Sequence, residues 1–198
     1  MMLNEETTVP DAALPVAAFK AHLRLGSGFG DDSLQDAVLI SFLRAAVTAV
    51  EARTGKVLFE RDFALTVTEV SGGNAVAIPV APLLAISSVS VVDASGNETE
   101  IAADQFWAER DVHRPRLRSV GHMLPSIPQA GSMIIAFSAG HGVGWADIPA
   151  DLQQAVLLLA AHYYEFRHET TLSEGCMPFG VTSLIERYRP IRLGGSAK

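Results

Sequence analysis

The hydrophobic period of this chain changes at Gly55, and that change limits the folds open to it more than any other feature. From Ser33 to Arg53 the apolar residues Leu34, Val38, Phe42, Ala45, Ala49 and Ala52 recur every three or four positions, which places them on one stripe of a helix. About twenty residues at 1.5 Å each make a rod of roughly 30 Å. Gly55 supplies the left-handed residue that ends it. Downstream, Phe63, Leu65 and Val67 alternate with Ala64, Thr66 and Thr68, as side chains do on a half-buried strand.

The same two periods organise the rest. Leu14 to Leu25 carries Val16, Phe19 and Leu23 at helical spacing, with Pro15 near a first turn where its missing N–H costs nothing. Gly26, Gly28 and Gly30 break that helix, and Asp31 or Asp32 caps the long one. In the middle third, Gly72-Gly73-Asn74 turns the chain into Ala75 to Ile78. A β-branched run from Ile86 to Val92 then ends at the hairpin loop Asp93 to Asn97. Short strands are expected at Glu98 to Ile101, Arg116 to Val120 and Met133 to Ser138. Prolines 79, 82, 115, 125 and 128 confine them to edges or short pieces. After the glycine run 140–144, Pro149 and Asp151 open a helix with Leu152, Val156, Leu159 and Tyr163 on one face. Leu157, Leu158, Ala160 and Ala161 leave it little polar surface, so burial on most sides is expected. A last short helix spans Val181 to Tyr188, ahead of a flexible tail.

This order predicts an α+β chain: an α-helical unit of about four helices, two of them long, interrupted by a small antiparallel β insertion. The helical core takes residues 1–55 and 145–198, with flexible termini, and the inserted β domain takes 56–144. With 48% hydrophobic and only 19% charged residues among 198, the chain is more apolar than a well-solvated monomer needs, so it is expected to bury surface against neighbours.

Several function classes are disfavoured. A net charge of −7 argues against tight binding to phosphate backbones, which needs clustered Lys and Arg. No apolar run reaches the roughly 18 residues of a membrane span, and Met1 to Asp11 lacks a signal-peptide pattern. The single Cys176 excludes an internal disulfide framework and has no sequence sign of an activating partner. His162, Glu165, His168 and Glu169 share a helix but drift around it, without the two histidines four apart that zinc hydrolases present. Gly140-His141-Gly142-Val143-Gly144 has the wrong spacing and context for a dinucleotide loop. Ser138 lacks the flanking glycines of a nucleophile elbow. No catalytic, cofactor or metal site is therefore expected. Phe106, Trp107 and Trp145 suit either a sugar-stacking face or core and interface filling. Arg187, Arg189 and Arg192, interleaved with Tyr188, Ile191 and Leu193, suit either a solvated tail or an arm docking on a partner.

A resemblance joins these pieces. Phe19-Lys20-Ala21-His22-Leu23-Arg24, then Glu51 and Thr54-Gly55-Lys56, resemble the opening motifs of phage head-tail connector proteins. Ile78-Pro79-Val80-Ala81-Pro82, Ile86-Ser87-Ser88-Val89 and Ser95-Gly96 resemble that family's middle stretch. Phe137 to Gly142, Ile148-Pro149, Ala161 to Arg167, Pro178 to Val181 and Tyr188-Arg189 resemble its C-terminal signature. The likeness is strongest to the head-tail adaptors of alphaproteobacterial gene transfer agents. It implies a non-enzymatic ring, commonly of twelve copies, seated beneath the portal protein in the neck of a virion or phage-like particle. Such a ring meets a tail-side stopper or terminator and passes DNA through its lumen without sequence-specific binding. It is assembled in the bacterial cytoplasm, with no membrane and no cofactor. The resemblance also implies that Tyr188, Arg189, Ile191, Arg192 and Leu193 form an arm on the portal. Rival readings are a carbohydrate- or receptor-binding module of such a particle, and a metal-dependent hydrolase built on the His162 region.

Overall fold

A computed structural model describes residues 1–24, 32–70, 72–167 and 177–189, together with their side chains except those of 32–34. The chain divides into two compact units, one of Met1–Val9 with Lys56–Gly144 and one of Pro10–Gly55 with Trp145–Lys198.

The first unit is built from strands β1 (Met2–Glu5), β2 (Arg61–Val67), β3 (Ala75–Ala77), β4 (Leu83–Val92), β5 (Glu98–Glu100), β6 (Phe106–Glu109), β7 (Arg116–Ser119) and β8 (Ser132–Ala139). They form a five-stranded sheet in the order β1-β2-β8-β4-β5 and a three-stranded sheet in the order β3-β7-β6, antiparallel at every pairing. The pleat explains the core. Phe63, Leu65 and Val67 lie opposite Phe137, Ile135 and Met133 in register, so one face of the β2–β8 pair carries an apolar run, with buried Arg61 at its end. The Phe63 and Phe137 rings stack with centroids 5.5 Å apart. Strand β4 places Ile86 opposite Phe137 and Val89 opposite Ile135, although the two are three residues apart. A register shift between Ile86 and Ser88 inserts the extra residue that returns Val89 to the core face. From the smaller sheet Val76 and Leu117 join the same core.

The second unit contains α1 (Val16–His22), α2 (Asp32–Thr54), α3 (Ala150–Glu165) and α4 (Phe179–Ile185), the last followed by a 3₁₀ turn at Glu186–Tyr188. Its buried side chains include Phe19, Leu39, Leu43, Val47, Val50, Leu152, Val156, Leu159, Val181 and Ile185. Gly55, at φ +64°, ends α2 in the left-handed region.

Four expectations need correction. The fold is not a helical connector with a small β insertion: eight strands in two sheets make the described chain sheet-rich. The strands not read from sequence, β1 and β6, have four residues each, too few for alternation alone, and no glycine turn flanks them as it does β3 and β5. The first nine residues do not act as a flexible helical terminus. Met2–Glu5 pairs with Phe63–Thr66 of β2, and Arg61, itself buried, bonds Glu5 at 2.9 Å. The buried face of α2 is also a different one. Leu39, Leu43, Ala46, Val47 and Val50 are buried while Val38 is 47% exposed, and Ala45 and Ala52 face solvent. Adjacent apolar pairs, Val38-Leu39 and Phe42-Leu43, make both faces equally apolar, so the period alone selects neither. In α3, Leu157 and Leu158 are only half-buried.

Candidate assembly surfaces

The arm residues are read from where α4 and its 3₁₀ turn bring the chain. Tyr188 is buried at 8% exposure because its hydroxyl donates to Asp151 Oδ1 at 2.7 Å. Asp151 sits in the first turn of α3. Arg187 closes the cluster: its Nη2 donates to the Tyr188 hydroxyl at 2.6 Å, and its Nε lies 3.0 Å from Asp151 Oδ2. Burial, with the bond to Asp151, pushes the Tyr188 hydroxyl above the usual tyrosine range. Tyr188 is thus a fastening point. Beyond it, Arg189 is exposed and reaches Glu186 at 3.2 Å, and its backbone turns extended. Ile191, Arg192 and Leu193 lie outside the described residues.

The His162 region is a packing site in this geometry. The His162 ring lies 4.7 Å from that of Phe166, while His168 and Glu169 fall outside the described residues. Among the described residues no three His, Cys, Asp or Glu side chains converge as metal ligands. Cys176 also falls outside them, as do the 26–30 glycines and Asp31. No helix among the described residues is long and apolar enough to cross a membrane.

The glycine run after β8 has a structural cause. Gly140, at φ +143°, lies so close to the neighbouring backbone that a Cβ there would stand 2.5 Å from Glu60 N and Cα. The same stretch bonds Gly140 N–H to the Pro82 carbonyl, His141 N–H to that of Leu58 and Glu60 N–H to that of Gly142. It stitches backbone to backbone. Ser138 sits inside β8, opposite Asp62 of β2 and Ala85 of β4.

On the sheet unit, pleating sends Phe106 inward and Trp107 outward, where it is 47% exposed. Trp107, Arg118 and Ala75 share a register, as do Glu109, Arg116 and Ala77, so this outer face mixes one aromatic, two arginines and small residues. Arg118 bonds Glu109 at 2.7 and 3.4 Å, a forked geometry suited to guanidinium and carboxylate. The pairing holds the Glu109 carboxyl below its usual range. An open cleft of about 570 Å³ beside β3 is lined by Met1, Val67, Glu69, Val70, Ala77 and Arg116, among others, and by no aromatic ring. Trp145 stands in a separate 3₁₀ turn of the helical unit. Within the sheet unit, Phe106 and Trp107 point to opposite faces and form no aromatic groove between them.

Sequence reading missed the basic hairpin joining β6 to β7. Arg110, Arg114, Arg116 and Arg118 lie within nine residues, a local charge signal that the acidic total conceals.

Comparison with known proteins gives a full-length match. The chain is 50% identical to a chain in the neck of an empty GTA particle computed with C6 symmetry, with TM-score 0.90 over 98% of this chain and 99% of that one. It is likewise 50% identical, at TM-score 0.87 and the same coverage, to a chain in the virion of a native gene transfer agent (GTA) particle. In the neck of a native GTA particle computed with C12 symmetry the identity is 47% and the TM-score 0.85. No family model matches, and neither does any curated protein.

Proposed function

The chain belongs to the head-tail adaptor family of gene transfer agents, and from that premise we propose that it is a non-enzymatic structural subunit of the particle neck. In this reading twelve copies form a ring beneath the portal, meet a tail-side connector, and continue the DNA channel from capsid to tail. The particle is assembled in the bacterial cytoplasm. The observation that carries the reading is the near-identical fold over the full length of chains found in GTA necks. The symmetry of those necks supports the ring, because head-to-tail contacts that close generate cyclic assemblies. Exposed Trp107, Val112, Val120 and Met123 on the sheet unit and Phe179 on the helical unit offer the apolar surface that neighbours would cover. The acidic balance of −7 suits a lumen along which DNA slides.

The arm on the portal is proposed for Arg189, Ile191, Arg192 and Leu193, with Tyr188 as its root. Burial of the Tyr188 ring in its own unit means that its part is to fix where the arm leaves. The test is size-exclusion with mass determination of the chain mixed with its cognate portal ring. Co-migration near twelve chains per portal is expected, and truncation after Arg189 is expected to abolish it while leaving the melting temperature unchanged. Failure to associate at both low and physiological salt would sink the adaptor reading. Association that survives the truncation would sink the arm alone.

A further inference from the structure

We propose that the β6–β7 hairpin is one half of a head-to-tail contact between copies of this chain, its arginine tip seating on the acidic β5 edge of the neighbouring copy. The proposal rests on the ring reading above and assigns the surfaces that close the ring.

Charge is the first argument. Residues 109–118 hold four arginines against two acids, a balance of +2 in a chain of −7, which leaves −9 on the rest. The rest of a second copy is therefore opposite in net charge to the tip. The tip is also built in advance. The Asp111 carboxylate accepts from the backbone N–H of His113 at 2.8 Å and of Arg114 at 2.6 Å. Lys56, only 3% exposed, donates its ammonium to the Val112 carbonyl and lies 3.4 Å from His113 Nδ1. A loop held this way loses little freedom on docking. At its apex Val112 is 66% exposed, and Arg110 points out with no partner among the described residues. Arginines beside an exposed apolar side chain such as Val112, with Trp107 further down the hairpin, suit a protein partner, whereas phosphate backbones select charge alone.

The complement lies on the same unit. β5 is an edge of the five-stranded sheet, and all three of its residues are exposed. Glu98 and Glu100 flank an open groove of about 370 Å³ lined also by Ser88 and Ser90. Neither carboxylate has a partner among the described residues, and paired carboxylates with hydroxyls accept guanidinium donors well.

Geometry makes the contact head-to-tail. Lys56, which holds the tip, bridges Ala81 just before β4. Ser90, opposite Glu100, comes nine residues later. At about 3.3 Å per residue the two stand up to roughly 30 Å apart along one strand. Tip and groove thus lie toward opposite ends of β4, which favours a contact between copies over one within a copy. Repetition of such a contact with closure makes a ring.

The test uses particles purified from a producing culture. In a Cys176→Ser background, Arg110→Cys combined with Glu98→Cys is expected to give a ladder of cross-linked multimers of this chain on mild oxidation, and either single cysteine only monomer. Incorporation at the normal level without a ladder overturns the proposal. Separately, Arg110→Glu with Arg114→Glu is expected to cut incorporation at least tenfold, and Glu98→Arg with Glu100→Arg in the same chain to restore it. Normal incorporation of the first pair, or no rescue by the second, overturns it. Absence of the unmodified chain from necks would instead remove the ring reading itself.

Discussion

Two glycines show how differently one residue type can be constrained. At Gly55 a Cβ would meet nothing within 4 Å, so Gly55→Ala incurs only the left-handed penalty, about 1 kcal/mol. At Gly140 the Cβ would enter the Glu60 backbone, and Gly140→Ala should cost about 3 kcal/mol or more. Urea midpoints of the two variants check the ranking. Tyr188→Phe removes the hydroxyl between Asp151 and Arg187 and is expected to lose about 1 kcal/mol. Lys56 gives a pH signature. Burial pushes its ammonium below the ordinary 10.5, against a weaker opposing pull from Asp111. The folded state therefore holds that proton less tightly than the unfolded chain, and stability rises with pH from the lowered value up to 10.5. Tyr163 and Tyr188, both raised by burial, act in the opposite sense as pH passes 10. The signature is thus the difference between wild type and Lys56→Met, which is expected to lack the rise in denaturation midpoints measured through the alkaline range.

At the level of elements, an ion pair reinforces the β1–β2 ladder. Arg61 is 9% exposed and Glu5 38%; Arg61 also lies over the Phe63 ring at 5.5 Å. Glu5→Gln leaves a buried guanidinium with weaker partners, and with Glu5 partly in water the cost is expected near 1–2 kcal/mol. Amide hydrogen exchange should locate the effect, with the amides of β1 losing protection before those of β8. The long elements were legible in sequence: α2, α3, β2, β4 and β8 each run far enough for their period to show. What the period did not reveal was which face of α2 is buried, since adjacent apolar pairs such as Val38-Leu39 and Phe42-Leu43 offer two candidate faces. Nor did it reveal β1, whose four residues join a sheet only because β2 offers them an edge. Of the candidate site, the arginines of the C-terminal stretch were visible as a pattern, whereas the burial of Tyr188 was not, because Asp151 lies thirty-seven residues away.

At the scale of the molecule, the basic hairpin within an acidic chain makes assembly sensitive to ionic strength. If arginine–carboxylate contacts join neighbouring copies, neck assembly from purified chain and portal should weaken as salt rises from low to physiological strength and beyond. Mass determination across a salt series reads this directly, and a salt-independent stoichiometry would count against charged contacts. The periods, the glycine and proline punctuation, the long helices and strands, and the motif order that resembles head-tail connectors can all be read along the chain. Those are properties of residues near one another in the chain. The tertiary structure alone decided that the middle of the molecule is two sheets rather than a small insertion, which α2 face is buried, that the first residues are a strand, and that the arginine tip and the acidic edge lie toward opposite ends of β4. Each of these depends on partners distant in sequence, chosen by pairing register and burial, which no local pattern encodes.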